Sequence, residues 1–275
     1  MVETNNLVVI SDTHSGCRLA LVPPQGVKLD DGGEYKPSEF QRGLWGYWRT
    51  FWDEFVPEAT RGEPFAVVHN GDAIDGVHHN STTQISHNLE DQQEIAYALL
   101  KPIVELCEGR YYHIRGTEAH VGKSAREEEA LAKRLNAIPN KEGQYARYDL
   151  WKNVGDRLVH LLHHIGTTGS AAYEATAVHK ELIEEYNEAA RWDKRVPDCI
   201  VRSHRHRNLE ITIPTRKGKA IAVVTPCWQG KTPFAWKIPG ARLSLPQFGG
   251  IVIRVAHDEM FVRSYVETPA QPEPE

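Results

Sequence analysis

Carboxylate and imidazole side chains recur at short spacings in this chain, each group just behind an apolar run. Asp12 and His14 follow Leu7–Ile10, Asp72 and Asp75 follow Phe65–Val68, His163 and His164 follow Leu158–Leu162, and His204 and His206 follow Cys199–Val201. Carboxylate oxygen and imidazole nitrogen form a donor set suited to divalent transition metals, and the mixture selects no single metal. Asp12 and His14 stand two residues apart, so a continuing strand turns both to one side, and His204 and His206 repeat the spacing. Asp72 and Asp75 flank a turn behind Gly71, where one carboxylate can bridge two ions. An Asp-x-His or His-x-His alone arises often by chance. Four such groups, each closing an apolar run, point to a two-metal hydrolase.

The elements that must position these groups are short buried strands, which the bounded apolar runs predict. In α/β sheets, ligands bind in the crevice at the carboxyl ends of the strands, so the groups should converge at one edge. Between the first two strands, the stretch from Ser15 to Pro37, with Pro23-Pro24 and Asp31-Gly32-Gly33, predicts a long excursion. A helix is expected over Ser38 to Phe55, with Trp45, Trp48, Trp52 and Phe55 within about 80° of one another, a core stripe. Further helices are expected over Asn88 to Leu106, kinked or broken at Pro102, over Ser124 to Leu135, and over Ala171 to Trp192. Strands are expected at Tyr111 to Ile114, Tyr145 to Leu150 and Arg157 to Leu162. From Asn208 onward, Leu209 to Ile213, Lys219 to Thr225, Gly250 to Val255 and Met260 to Tyr265 give a strand-rich final third. One domain over 1–267 and a disordered tail over 268–275 follow.

An apolar content of 40% and a charged content of 25% in 275 residues are those of an ordinary globular protein able to bury a large core. A net charge of -5 carries no basic excess of the kind that marks duplex binders, which leaves only a local groove for nucleic acid. Cys17, Cys107, Cys199 and Cys227 are widely spaced, and reduced structural thiols are expected. The polar opening Met1–Asn6 predicts no signal peptide, and no apolar stretch is long enough to cross a bilayer. A cytoplasmic protein without membrane contact is the expectation.

Asp-x-His, Gly-Asp-x-x-Asp, a single His after a strand and then His-x-His, in that order, resemble the calcineurin-like metallophosphoesterase superfamily. The likeness runs from Leu7 to Arg207, with a looser likeness to bacterial and bacteriophage versions. It implies a four-layer αββα sandwich, two packed mixed sheets flanked by helices, with the strand-rich final third supplying the second sheet. It implies two divalent cations, Mn²⁺ foremost, with Fe, Zn²⁺ or Ni²⁺ as alternatives. Asp12, His14 and His206 would hold the first ion, Asp72 would bridge, and His163 and His204 would hold the second. The family's ligand often opens its dipeptide, which favours His163 over His164. Asp75 resembles the framework carboxylate of the second motif. The third motif departs: the family's Gly-Asn-His-Asp/Glu stands here as Gly116-Thr117-Glu118-Ala119-His120. Thr117 or Glu118 would fill the metal position, and His120 would protonate the leaving group.

The activity so implied is phosphate-ester hydrolysis by in-line attack of a metal-bound hydroxide, phosphodiesters preferred, on a substrate that could be a nucleotide or nucleic acid. The alternative is a non-catalytic module on the same fold, or a subunit that needs a partner. His78, His79 and His87 follow the Asp72 motif and are expected either to line the cleft, with His78 foremost as a substrate contact, or simply to be exposed. Trp228 and Lys231 are expected on a rim loop, holding a base and a phosphate. Gly166 to Ser170 could receive a phosphate on its backbone N–H groups. His160 and Arg205 are expected to be structural. Oligomeric state has no signature here.

Overall fold

The computed structural model describes residues 4–270 except 79, 123, 167–169, 217 and 239–240. Its first strand, β1 (Asn6–Ile10), is buried at every position, so both faces must be covered by other layers. A small hairpin follows, β2 (Val27–Lys28) and β3 (Glu34–Tyr35). Then α1 (Glu39–Thr50) runs through a π turn at Phe51–Phe55 into α2 (Val56–Thr60). Next come β4 (Ala66–Asn70), α3 (Leu89–Leu106), β5 (Tyr111–Ile114), α4 (Glu118–Val121) and α5 (Arg126–Arg134). The second half holds β6 (Ala146–Arg147), β7 (Asp149–Val154), β8 (Arg157–Leu162), α6 (Glu174–Arg191) and β9 (Cys199–Arg202). It ends with β10 (Leu209–Thr215), β11 (Gly218–Val224), β12 (Phe248–Ala256) and β13 (Glu259–Glu267).

These strands form two mixed sheets in the orders β13-β12-β1-β4-β5-β6 and β10-β11-β9-β8-β7. Alternation along each strand decides what each face touches. Leu7 and Val9 of β1, with Val68 of β4, meet Val159, Leu161, Val201 and Val223 of the other sheet. The intervening Val8 and Ile10 face the other way, onto Leu44, Trp48, Leu99 and Leu131 of the helices. On the far side, Ile200, Ala222 and Val224 are covered by Val178 and Leu182 of α6, each contributing roughly 1.5–3 kcal/mol of burial. The result is the αββα sandwich, with residues contacting cover on both faces of both sheets.

Several local expectations are corrected. The final third does not form the second sheet alone: β10 and β11 extend it, whereas β12 pairs with β1 and β13 with β12 at the edge of the first sheet. The segment expected as one strand over Tyr145 to Leu150 is divided at Tyr148, because β6 pairs with β5 and β7 pairs with β8 of the other sheet. Helix α3 passes through Pro102 unbroken. Pro102 and Ala98, whose carbonyl loses its donor, both lie on the exposed face, where water can replace the missing bond. The first helix extends to Thr60. Its widened turn, in which the Val56 N–H reaches the Phe51 carbonyl, sits directly before Pro57, which has no N–H to continue the ladder. Residues 271–275 of the expected tail lie outside the described residues.

Candidate metal centre

The chemistry-bearing segments leave the carboxyl ends of β1, β4, β5, β8 and β9, and backbone hydrogen bonds tie them together. The Asp12 N–H donates to the Gly71 carbonyl (2.9 Å), His14 to Asp72 (3.0 Å), Ser203 to His163 (2.9 Å) and Trp228 to Asp12 (3.0 Å). Five of the expected ligand residues have left-handed backbones: Asp12 at φ 52°, His14 at 41°, Asp72 at 55°, His204 at 71° and His206 at 55°. Non-glycine residues held this way cost of order 1–3 kcal/mol each and persist where the surroundings enforce them. Close approach also explains two glycines. A Cβ on Gly71 would stand 2.4 Å from His163 Nδ1, and one on Gly116 would stand 2.0 Å from Asp72 Oδ1.

Two triads result. In the first, Asp12 Oδ1, His14 Nε2 and His206 Nε2 stand 3.1 Å (His14 to His206), 3.3 Å (Asp12 to His206) and 3.7 Å (Asp12 to His14) apart. In the second, Asp72 Oδ2 lies 3.1 Å from His163 Nε2 and 3.9 Å from His204 Nδ1. Donors about 2.0–2.2 Å from one tetrahedral cation stand about 3.4 Å apart, so both sets have the spacing a transition metal needs. Their atoms also need it: Asp12 Oδ1 and His163 Nε2 are buried with no hydrogen-bond partner. His163 is aimed by its other nitrogen, where Nδ1–H donates to the Asn70 carbonyl (2.6 Å) and leaves Nε2 facing Asp72. The residues present therefore fit a pair of divalent cations.

Opposite charges in this buried space shape the protonation states. Burial alone would raise the Asp12 and Asp72 carboxyls, but His163 and the neighbouring histidines hold both well below the usual range. Burial alone would lower His14, yet the Asp12 and Asp75 carboxylates raise it to about 9. His163 is likewise lifted to about 9, chiefly by Asp72 and Asp12. His206 is raised well above its ordinary value despite burial.

Around the triads, the other expected residues divide. Thr117 donates its backbone N–H to Asp72 Oδ1 (2.7 Å), and its hydroxyl lies 3.2 Å from the same oxygen. Glu118 is exposed on the first turn of α4 and is absent from the cavity lining, which passes from Thr117 to Ala119 and His120, so it is not placed to act. His120 lies inside: Nδ1–H donates to the Asp75 carbonyl (2.6 Å) and Nε2 stands 3.9 Å from Asp72 Oδ2. Burial lowers its pKa to about 4, so at neutral pH it is an uncharged imidazole rather than the protonated donor expected. His163 is buried with Nε2 3.1 Å from Asp72, whereas His164 is exposed. Asp75 accepts from Gln84 (2.8 Å) and Gln229 (3.1 Å) and stands 3.5 Å from His14 Nδ1.

His78 lines the cavity, 3.6 Å from Asp75 Oδ1. His87 is exposed. His79 lies outside the described residues, as do 167–169 of the expected phosphate loop. Trp228 is corrected: it is fully buried with its ring against Trp48 and Phe51, and no base can reach its face. Lys231 does line the cavity, but its ammonium donates to the Arg242 and Ser244 carbonyls (2.5 and 3.0 Å). His160 stacks on Trp151 and bonds Glu185, and Arg205 donates to the Gly166 and Glu174 carbonyls. All four cysteines are buried and unpaired.

Two supports were missed in the sequence. Glu128 is fully buried and accepts from the Ala73 N–H (3.0 Å) and the Gly116 N–H (2.6 Å), clamping the loops that carry Asp72 and Thr117. Its signal was present: Glu128, Leu131, Ala132 and Leu135 share one helical face, and all are buried. Asn70 donates to the Ser203 hydroxyl (2.6 Å) and the Leu162 carbonyl (3.2 Å) while its own carbonyl aims His163. Its only trace was a polar residue at the strand's last position, directly before Gly71.

No protein-family model and no curated protein matches the chain. Among solved structures, Vacuolar Protein Sorting 29 from Cryptosporidium parvum is 12% identical, with a TM-score of 0.34 and coverage of 98% of this chain and 100% of that one. A conserved protein from Streptococcus pneumoniae, described as a predicted phosphoesterase, is 11% identical with a TM-score of 0.33, covering 96% and 99%. Vps29 from Entamoeba histolytica is 11% identical with a TM-score of 0.36, covering 95% and 99%. Likenesses in this range carry no residue roles. In its motif order, its layered architecture and the strand ends that carry its ligand residues, the chain resembles the calcineurin-like metallophosphoesterases.

Proposed function

We propose that this protein is a dinuclear metal-dependent phosphoesterase, with phosphodiesters preferred. The observation that carries the reading is the pair of neighbouring donor triads, Asp12-His14-His206 and Asp72-His163-His204, with the orphaned donor atoms Asp12 Oδ1 and His163 Nε2 buried among them. Asp12, His14 and His206 would hold one divalent cation and His163 and His204 the other, with Asp72 shared and Thr117 beside it. When bound, such a pair supplies Lewis acidity: it neutralises charge on the phosphoryl oxygens and makes water acidic enough to attack at neutral pH.

The chain's own groups do the rest. Asp75 fixes the His14 ring from behind, and the Asn70 carbonyl fixes His163, so both nitrogens meet the site without reorganisation. His120 presents an uncharged Nε2 to the cavity, where it can take the proton of the incoming water and return it to the departing oxygen. No covalent intermediate on the protein is required. Among the described residues, no helix is long and apolar enough to cross a membrane.

The test is hydrolysis of bis(p-nitrophenyl) phosphate and p-nitrophenyl phosphate by metal-stripped protein titrated with Mn²⁺. Turnover that rises with Mn²⁺ and favours the diester is expected. Absence of turnover on both esters with two ions bound, or binding of one ion only, would overturn the reading and favour a non-catalytic module.

A further inference from the structure

A cavity of about 270 Å³ opens directly onto the two triads. One wall is the centre itself, with His14, Asp72, His120, His204 and His206. The facing wall is apolar and comes from the segment around the short 3₁₀ turn Ala235–Lys237: Phe234, Ala235, Ile238, Leu245 and Pro246. Phe234 and Leu245 are 43% and 48% exposed, so the sequence leaves large apolar side chains facing solvent beside a charged site. Apolar surface placed like this marks a binding surface rather than a core.

The cations around the cavity are committed elsewhere. Arg207 donates to the Glu174 carboxylate (2.9 Å), Arg205 to the Gly166 and Glu174 carbonyls, and Lys231 to the Arg242 and Ser244 carbonyls. The Lys231 ammonium also lies 3.6 Å from the Trp236 ring centroid. Every Lys or Arg lining the cavity among the described residues is thus tied to protein oxygen. A nucleic-acid strand presents a row of phosphates, and its binders meet them with available Lys and Arg.

We propose that the site takes a compact phosphate ester whose organic group is apolar, of phenyl or short-alkyl size, rather than a nucleic-acid strand. The proposal deepens the phosphoesterase reading and rests on it for the identity of the reacting group. Size agrees with it, since an apolar cavity of roughly 150 Å³ already accepts benzene. The phosphate would face the triads while the organic group lies against Ile238 and Leu245.

Calorimetry on the Mn²⁺-loaded protein with phenylphosphonate, methylphosphonate and a short oligothymidylate tests this without turnover. Phenylphosphonate should bind at least about tenfold more tightly than methylphosphonate, and more tightly than the oligonucleotide. The ratio of the two phosphonates should fall toward one in Leu245→Asp, and equally in Ile238→Asp. Equal affinities, no binding of either phosphonate, or preference for the oligonucleotide overturns the proposal. A Leu245-dependent preference in a protein that hydrolyses no ester would sink the phosphoesterase reading and leave the ligand class standing.

Discussion

The two donor triads differ in how completely the fold assembles them. The first is tight: its donor atoms lie 3.1–3.7 Å apart, and all three of its residues have left-handed backbones. The second is looser. His204 Nδ1 stands 3.9 Å from Asp72, its side chain is 45% exposed, and His163 leaves its strand without a left-handed turn. Asp75 backs the first triad, whereas the altered third motif brings the Thr117 N–H and hydroxyl and, more distantly, His120 to Asp72 of the second. The difference teaches that the fold draws the first donor set together by itself, whereas the second lies open on the cavity side; on the proposed reading the first would be ready before a cation arrives and the second would be completed from the cavity. On the proposed reading one carboxylate, Asp72, would couple them.

The largest effect should come from breaking that coupling. Asp72→Asn should cost Mn²⁺-dependent turnover about a thousandfold or more, equivalent to several kcal/mol of lost charge stabilisation, as steady-state kinetics would read. Undiminished turnover would mean the triads act independently.

Protons come next. His14 and His163 hold theirs up to about pH 9 in the metal-free protein, against 6.5 for a free imidazole. A raised pKa stabilises the fold fully below pH 6.5, and that contribution is lost as pH rises through 9. Coordination needs the neutral ring. Between pH 6.5 and 9 the metal-free Tm should therefore fall, while the Tm increase produced by Mn²⁺ should grow. The first ion should also expel more protons than the second, since His206 is raised as well, and calorimetry in buffers of different ionisation heat would show it.

Asp75→Asn separates the sites directly. Loss of a carboxylate behind a ligating histidine should weaken the first ion by about 10–100-fold and leave the second unchanged, measured by Mn²⁺ titration with electron paramagnetic resonance. Glu128→Gln should act on the other side. With one of two backbone donors left poorly satisfied, unfolding in urea should show a loss of about 1–3 kcal/mol. Thr117→Asn is the mildest change and the one that improves: an amide oxygen beside Asp72 should tighten the second ion about tenfold in the same titration.

The side chains that the structure gathers into the two triads were legible because their chemistry is local. A polar pair closing an apolar strand can be read one element at a time, and Asp12, His14, Asp72, His163, His204 and His206 all belong to such pairs or turns. The layers were legible for the same reason, since strands buried on both faces leave unbroken apolar runs. What depended on distant partners was not. Tyr148 marks no boundary in the sequence, yet the chain changes sheets there because β5 and β8 offer edges on opposite sides. Trp228 sits among motif-like neighbours, and only the approach of Trp48 and Phe51 from α1 and the π turn makes it core. Glu118 and His120 share one short stretch, but a single helical turn sends the first to solvent and the second inward. Left-handed backbones at five ligand positions have no glycine to announce them, because contacts across the sheet ends impose them.

The central claim is that two cations share Asp72. Anomalous diffraction at the manganese edge from crystals of the Mn²⁺-loaded protein tests it most directly. The account predicts two peaks, one among Asp12, His14 and His206 and the other among His163, His204 and Thr117, each within coordination distance of an Asp72 oxygen. One peak alone, or a second peak away from Asp72, would contradict it.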